Sequence, residues 1–254
     1  MIRKRLLPLA VFLLIFVLIP EPHAFAQGST GLPGVSLSVT PTSNPQATVS
    51  AIQAIVLLTV LSIAPAILIL MTSFTRIIVV LSFVRSALSL QQAPPNQVLI
   101  GLALFLTLFI MTPTFNAVNH NALQPYLAGS ISQTQALNAA ELPFKSFMAK
   151  QTRIEDVELF LNYRHESLPK SLVSLPITTL VPAFAISELK TAFQIGFMIY
   201  IPFLIIDLVV ATTLMSMGMM MLPPTMISLP FKMLLFVMVD GWYLIVKSLL
   251  AGFH

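Results

Sequence analysis

Ile201-Pro202-Phe203-Leu204-Ile205-Ile206-Asp207-Leu208-Val209-Val210 lies inside an apolar run, 192–222, that holds both a proline and a carboxylate. Leu, Ile, Val, Met and Phe continue on either side, and the length and flanks are those of a helix rather than a strand. A carboxylate at membrane depth costs about 3 kcal/mol. It and a mid-helix proline are tolerated where neighbouring protein or a water-filled cavity satisfies them. The stretch predicts an all-α chain whose kinked hydrophobic helices are covered by other protein more than by lipid.

Four further runs, at 54–71, 77–90, 98–111 and 231–253, repeat the pattern. The run 77–90 begins after Arg76 and is interrupted by Arg85, and 231–253 contains Lys232, Asp240 and Lys247. Val98 to Met111 is bounded by Pro94-Pro95 and Pro113. Its fourteen residues reach about 21 Å, short of a hydrocarbon core of about 30 Å. The positive-inside signal is thin, with Arg76 and Arg85 marking one loop and Lys232 the other. Hydrophobic hairpins buried against other subunits explain these features better than a free-standing four-helix bundle.

Composition agrees. Of 254 residues, 57% are hydrophobic and 9% charged, against about 25% charged in a soluble domain. Mean hydropathy is +0.92, which points to a membrane protein or part of a membrane assembly. Cys is absent, excluding disulfides, thiolate metal sites and cysteine nucleophiles.

Arg3-Lys4-Arg5, the apolar Leu6 to Ile19, and Ala24-Phe25-Ala26 after Pro20 and Pro22 have the form of a cleavable signal peptide, 1–26, with Gln27 as the new N-terminus. Residues 27–48 are rich in Ser, Thr, Gly, Pro and Asn, carry no charge, and read as a flexible periplasmic lead-in. Without the signal, ten basic and eight acidic residues remain, so the pI of 9.6 is no argument for nucleic acid. The rest divides into a first hydrophobic hairpin region (49–112), a polar helical insert (113–187) and a second hydrophobic hairpin region (188–254). The insert holds five basic and five acidic residues. Phe144, Phe147, Met148, Ile154, Val157 and Leu161 recur at helical spacing, with Lys150, Arg153, Asp156 and Arg164 opposite. This reads as one amphipathic helix. Its apolar stripe either packs inside the subunit or, as we expect, serves as an assembly surface.

Enzyme chemistry finds no support. His23, His120, His165 and His254 have no partner at metal-ligand spacing, and no nucleophile elbow, phosphate loop or dinucleotide fingerprint occurs. The expectation is no catalytic residue, no cofactor and no metal. Three features stand out instead. Five Met fall within Met215-Ser216-Met217-Gly218-Met219-Met220-Met221; flexible thioethers make a surface that can seal and reseal, or alternatively plastic core filling at a kinked helix end. Asp207 is the second. The third is Lys232 with Asp240 and Lys247, whose spacing on one helix lets Asp240 and Lys247 eclipse. The Pro94-Pro95 and Pro223-Pro224 breaks, one in each half, fit either turn punctuation or a secondary transporter of small solutes. A membrane scaffold without a pore leaves the Met run unexplained.

Two stretches, Pro182-Ala183-Phe184-Ala185-Ile186-Ser187-Glu188-Leu189-Lys190-Thr191-Ala192-Phe193-Gln194-Ile195-Gly196-Phe197 and Leu229-Pro230-Phe231-Lys232-Met233-Leu234-Leu235-Phe236-Val237-Met238-Val239-Asp240-Gly241-Trp242, closely resemble the FliP/SctR family of type III export-gate proteins. Met71-Thr72-Ser73-Phe74-Thr75-Arg76-Ile77 through Pro94-Pro95-Asn96-Gln97 is similar to the family's first hairpin. The cleavable signal favours the flagellar over the injectisome branch. The resemblance implies a pore-forming export-gate subunit in the bacterial inner membrane, within the flagellar basal body and with a periplasmic portion. Several copies, typically five, would assemble with FliQ and FliR beside FlhA/FlhB-type proteins and pass unfolded flagellar substrates. It also implies a methionine gasket at Met215, Met217, Met219, Met220 and Met221. Arg76, Arg85, Glu188, Lys190, Asp207, Lys232 and Asp240 become candidates for buried or inter-subunit charges.

Overall fold

The computed structural model describes residues 45–90, 92–219 and 222–253. The expected signal with Ala24, Ala26 and Gln27, the lead-in up to residue 44, and Met220 and Met221 lie outside the described residues. Every regular element among the described residues is helical: α1 (Pro45–Leu70), α2 (Phe74–Ala87), α3 (Asn96–Val118), α4 (Gln124–Leu127), α5 (Gln133–Gln151), α6 (Ile154–Tyr163), α7 (Ile177–Ser216), α8 (Pro224–Met238) and α9 (Gly241–Ala251). A π turn, Asn119–Leu123, joins α3 to α4, and a 3₁₀ turn, Leu172–Ser174, precedes α7. Residues 60–254 form one unit, and residues 45–59, the first part of α1, belong to another.

Helix α2 is the centre. Ile77, Val80, Leu81, Val84 and Ala87 are buried at three-to-four-residue spacing, the apolar stripe that lets a β-branched segment stay helical through packing. They join Leu99 and Ala103 of α3, Ala192 and Phe203 of α7, Phe236 of α8, and Ile245 and Leu249 of α9 in one core. The α2–α7 approach is close because position 196 is glycine: a Cβ there would lie 2.5 Å from the Phe83 ring.

The proline-bounded run 98–111 is not short. Helix α3 passes through Pro113, and with the π turn and α4 the helical segment runs 32 residues from Asn96 to Leu127, its most apolar 18-residue stretch having mean hydropathy 2.2. Proline removes one N–H from the ladder, and here neither the bonding nor the packing around it breaks the helix. Helix α7 likewise passes Pro182 and Pro202 over 40 residues. Both are long and apolar enough to cross a membrane, and α8 with α9, bent by 62°, forms a broken third candidate. Helices therefore run unbroken across 112–113 and 187–188, where the composition changes.

The insert departs from the expected single helix. α5 opens with a capping box in which Ser132 N donates to Gln135 Oε1 at 2.9 Å and Gln135 N to Ser132 Oγ at 3.3 Å. It stops at Thr152, which is extended at ψ 131 and donates its hydroxyl to Met148 O. α6 then restarts with Glu155 and Asp156 in its first turn, where carboxylates favour the positive end of the helix dipole. The stripe is also not a free surface. Met148, Val157 and Leu161 are buried with Leu180, Ala183 and Phe184 of α7, with Phe144 and Phe147 packed against them. Ile154 alone of the stripe is exposed.

Candidate functional site: two buried charge clusters and a methionine turn

The first cluster centres on Arg76, in the first turn of α2 and 2% exposed. Its Nε donates to Glu188 Oε2 at 2.9 Å, and Nη2 donates to Glu188 Oε1, a forked pair from α2 to the middle of α7. Nη2 also reaches Gln151 Oε1 of α5 at 3.1 Å, and Nη1 donates to Gly252 O at 2.7 Å. The Phe253 ring covers the guanidinium face, 4.0 Å from Cζ to the centroid. Glu188 is wholly buried. Beside it Ser187 donates to Asp156 Oδ2 at 2.6 Å and accepts from Arg153 N at 3.1 Å, while Arg153 Nη2 donates to Asp156 at 2.5 Å. Arg153 and Asp156 thus turn toward α7 and fasten the start of α6 to it, instead of lying on an outer polar face.

The second cluster lies farther along α7. Asp207 Oδ2 accepts from Lys232 Nζ at 2.6 Å and Oδ1 from Ser228 Oγ at 2.5 Å, both from α8. Lys232, 1% exposed, also donates to Ser89 Oγ at 2.7 Å. Ser89 adopts φ +57 just past α2. The α7/α8 hairpin is thereby pinned to the end of α2 with its lysine charge neutralised.

Beyond this clamp α7 ends in a glycine stop. Gly218 takes φ +77, Gly218 N donates to Met215 O at 3.0 Å, and Met219 N donates to Leu214 O at 3.0 Å. That is the paired hydrogen bonding of a Schellman end, which needs a left-handed residue after the cap. Met215, Met217 and Met219 project from this turn with 61%, 72% and 40% exposure. They are not core filling in this subunit.

The remaining expected charges divide. Arg85, half-buried, donates to Asn96 Oδ1 at 2.5 Å. Lys190 and Asp240 are exposed and have no ion pair among the described residues. The helical eclipse of Asp240 with Lys247 does not form, because Asp240 sits at φ +50 between α8 and α9. Lys247 lies instead 5.9 Å from the Tyr243 ring centroid. Sequence reasoning missed Ser89, Gln151, Ser228 and the C-terminal turn. Only Ser228 left a signal: it precedes Lys232 by four residues, on the same helix face.

A family model described as the FliP family matches residues 57–249, which include the Arg76–Glu188 and Asp207–Lys232 pairs and the methionine turn but not Gly252 and Phe253. The chain belongs to the FliP family. It is 64% identical over 217 residues to a "Flagellar biosynthetic protein FliP" of Bacillus subtilis, covering 85% of this chain and 98% of the relative. Two others of the same description, from Pectobacterium carotovorum and Aquifex aeolicus, are 49% and 51% identical. They cover 95% and 81% of this chain and 92% and 87% of their own lengths.

Proposed function

We propose that this chain is a core pore-forming subunit of the flagellar type III protein export gate. About five copies join FliQ- and FliR-type subunits, beside FlhA/FlhB-type proteins, in the basal body of the bacterial inner membrane. Unfolded flagellar proteins pass through the centre. Residues 113–187 form the periplasmic portion, and the hydrophobic regions 49–112 and 188–254 build the membrane part. The role is structural and not enzymatic.

The observation that carries this reading is the FliP-family match together with a methionine turn held at the tip of a charge-clamped hairpin. Among the described residues, Phe105, Phe109, Phe193, Phe197 and Met198 also stand more than half exposed on the long helices. An apolar surface of that kind requires lipid or protein cover. In the assembled gate the exposed Lys190 and Asp240 meet neighbouring subunits, as do the outer faces of α3 and α7. The methionines of several copies meet around the axis, where unbranched side chains can close and re-pack about different polypeptides. The pairing of Asp207 with Lys232 argues for a structural pin in place of the proton-carrying acid that a small-solute transporter would need.

The test is a native gel of gently solubilised membranes from cells expressing the tagged chain. A ring-sized complex containing FliQ- and FliR-type subunits supports the proposal. A monomer or dimer, with solute uptake dependent on Asp207, would favour the transporter.

A further inference from the structure

The last turn of the chain does more than end α9. Arg76 has five N–H donors, and four of them are spent on three different partners: Glu188 of α7, Gln151 of α5 and the Gly252 carbonyl. The face of the same guanidinium is closed by Phe253. Phe253 also makes an offset stack on Phe147 of α5, with centroids 6.3 Å apart and planes within 19°. Phe147 in turn meets Phe184 of α7 edge-on at 6.0 Å. Phe253 thus touches both the Arg76 guanidinium of α2 and Phe147 of α5, joining the C-terminal turn to both helices. Phe253 also packs against the core around α2. The turn is anchored from its own helix, since Gly252 N donates to Ser248 O and Leu249 O at 3.1 and 3.2 Å.

We infer that the C-terminal turn is a strap: Gly252 and Phe253 close the buried Arg76–Glu188 pair from water and lock the insert, through Phe147 and Gln151, onto the hydrophobic helices. With the strap open, water reaches a charge pair that is otherwise 0–3% exposed at its side chains, and α5 loses one aromatic neighbour together with the arginine that holds Gln151. The strap thus couples two parts of the chain that the sequence separates by about a hundred residues, the insert and the last helix. This coupling is a property of the single chain and does not rest on the export reading.

Hydrogen exchange on the full-length, detergent-solubilised chain tests it. Phe253→Ala should speed exchange at the end of α5 and the start of α6, residues 148–157, roughly tenfold, the scale of losing a desolvated cation–π contact. Exchange in α8 near Ser228 and Lys232, which the strap does not touch, should stay unchanged. Phe253→Tyr keeps an aromatic face and should restore protection, whereas Phe253→Leu, apolar without a π face, should restore only part. Because Gly252→Ala places its Cβ 3.4 Å from Arg76 Nη1, it serves as a mild second probe and should move the same segment in the same direction. Unchanged protection of 148–157 in Phe253→Ala overturns the strap. So does equal acceleration in α8, which would mean general loosening. Absence of a ring-sized complex in the parent, with faster exchange of 148–157 in Phe253→Ala, would count against the export-gate proposal and leave the strap standing.

Discussion

Removing Glu188 should expose how α7 is held to α2. Glu188→Ala takes away the acceptor of two Arg76 N–H groups and, among the described residues, the one carboxylate paired with that guanidinium. Among the described residues, what remains to Arg76 is Gln151 Oε1, the Gly252 carbonyl and the Phe253 ring, all neutral. A buried charge left without its partner costs about 3–5 kcal/mol, and nothing at this 2%-exposed site admits water to repay it. Removing both charges at once is different. Arg76→Met with Glu188→Leu leaves an apolar contact of similar volume, which is often neutral or stabilising by about 1–4 kcal/mol. Against that stands the loss of the donor to Gly252 O and to Gln151, about 1 kcal/mol each. The double variant should therefore lie within about 2 kcal/mol of the parent, far above the single. The assay is unfolding of the detergent-solubilised chain by SDS titration, followed by far-ultraviolet circular dichroism. A double variant as unstable as Glu188→Ala, or a single variant costing under about 1 kcal/mol, would refute the reasoning.

Three further outcomes follow from the same structure. Asp207→Asn keeps an acceptor for Ser228 but leaves Lys232 buried beside a neutral group; it should cost about 3 kcal/mol in the same titration and lower the yield of assembled complex, with Asp207→Leu plus Lys232→Met recovering most of the stability. Gly196→Ala should cost about 1–3 kcal/mol, because its Cβ would fall 2.5 Å from the Phe83 ring, and Phe83→Leu should rescue it by making room. Gly218→Ala meets nothing within 4 Å but must hold φ +77; about 1–2 kcal/mol of left-handed strain should appear as faster amide exchange at Met217 to Met219, with the rest of α7 unaffected.

The helical class was legible because hydrophobic runs of this length, broken by Pro-Pro pairs, leave few alternatives. Asp207 stood out for its cost at membrane depth, and its partner Lys232 was singled out as well. Their pairing was not visible, since it depends on α8 folding back beside α7 through the turn at Gly218. Prolines misled in one respect. Pro113 was read as the end of a short run, yet α3 passes through it and continues to Leu127. Periodicity misled in another, because the three-to-four-residue spacing from Phe144 to Leu161 persists across the break at Thr152 and so imitates one helix. The Arg76 cluster was half visible. Glu188 lies in one of the two stretches that most closely resemble the family and Arg76 in the first-hairpin stretch, but Gln151, Gly252 and Phe253 carry no local signal. They act through a backbone carbonyl, an amide and a ring brought together only by the fold.

The claim at the centre of this account is that the methionine turn closes a pore. Its most direct measurement is the ion conductance of planar bilayers holding assembled complexes in which Met219, Met220 and Met221 are replaced by alanine. Met215 and Met217 are kept, and Gly218 keeps the helix end in place. Each replacement trims an unbranched side chain to a methyl group and widens any constriction that the thioethers form. A leak of small ions through complexes of normal size, absent from the parent, is the predicted result. Tight bilayers with fully assembled variant complexes would contradict the account and return the methionine run to ordinary packing.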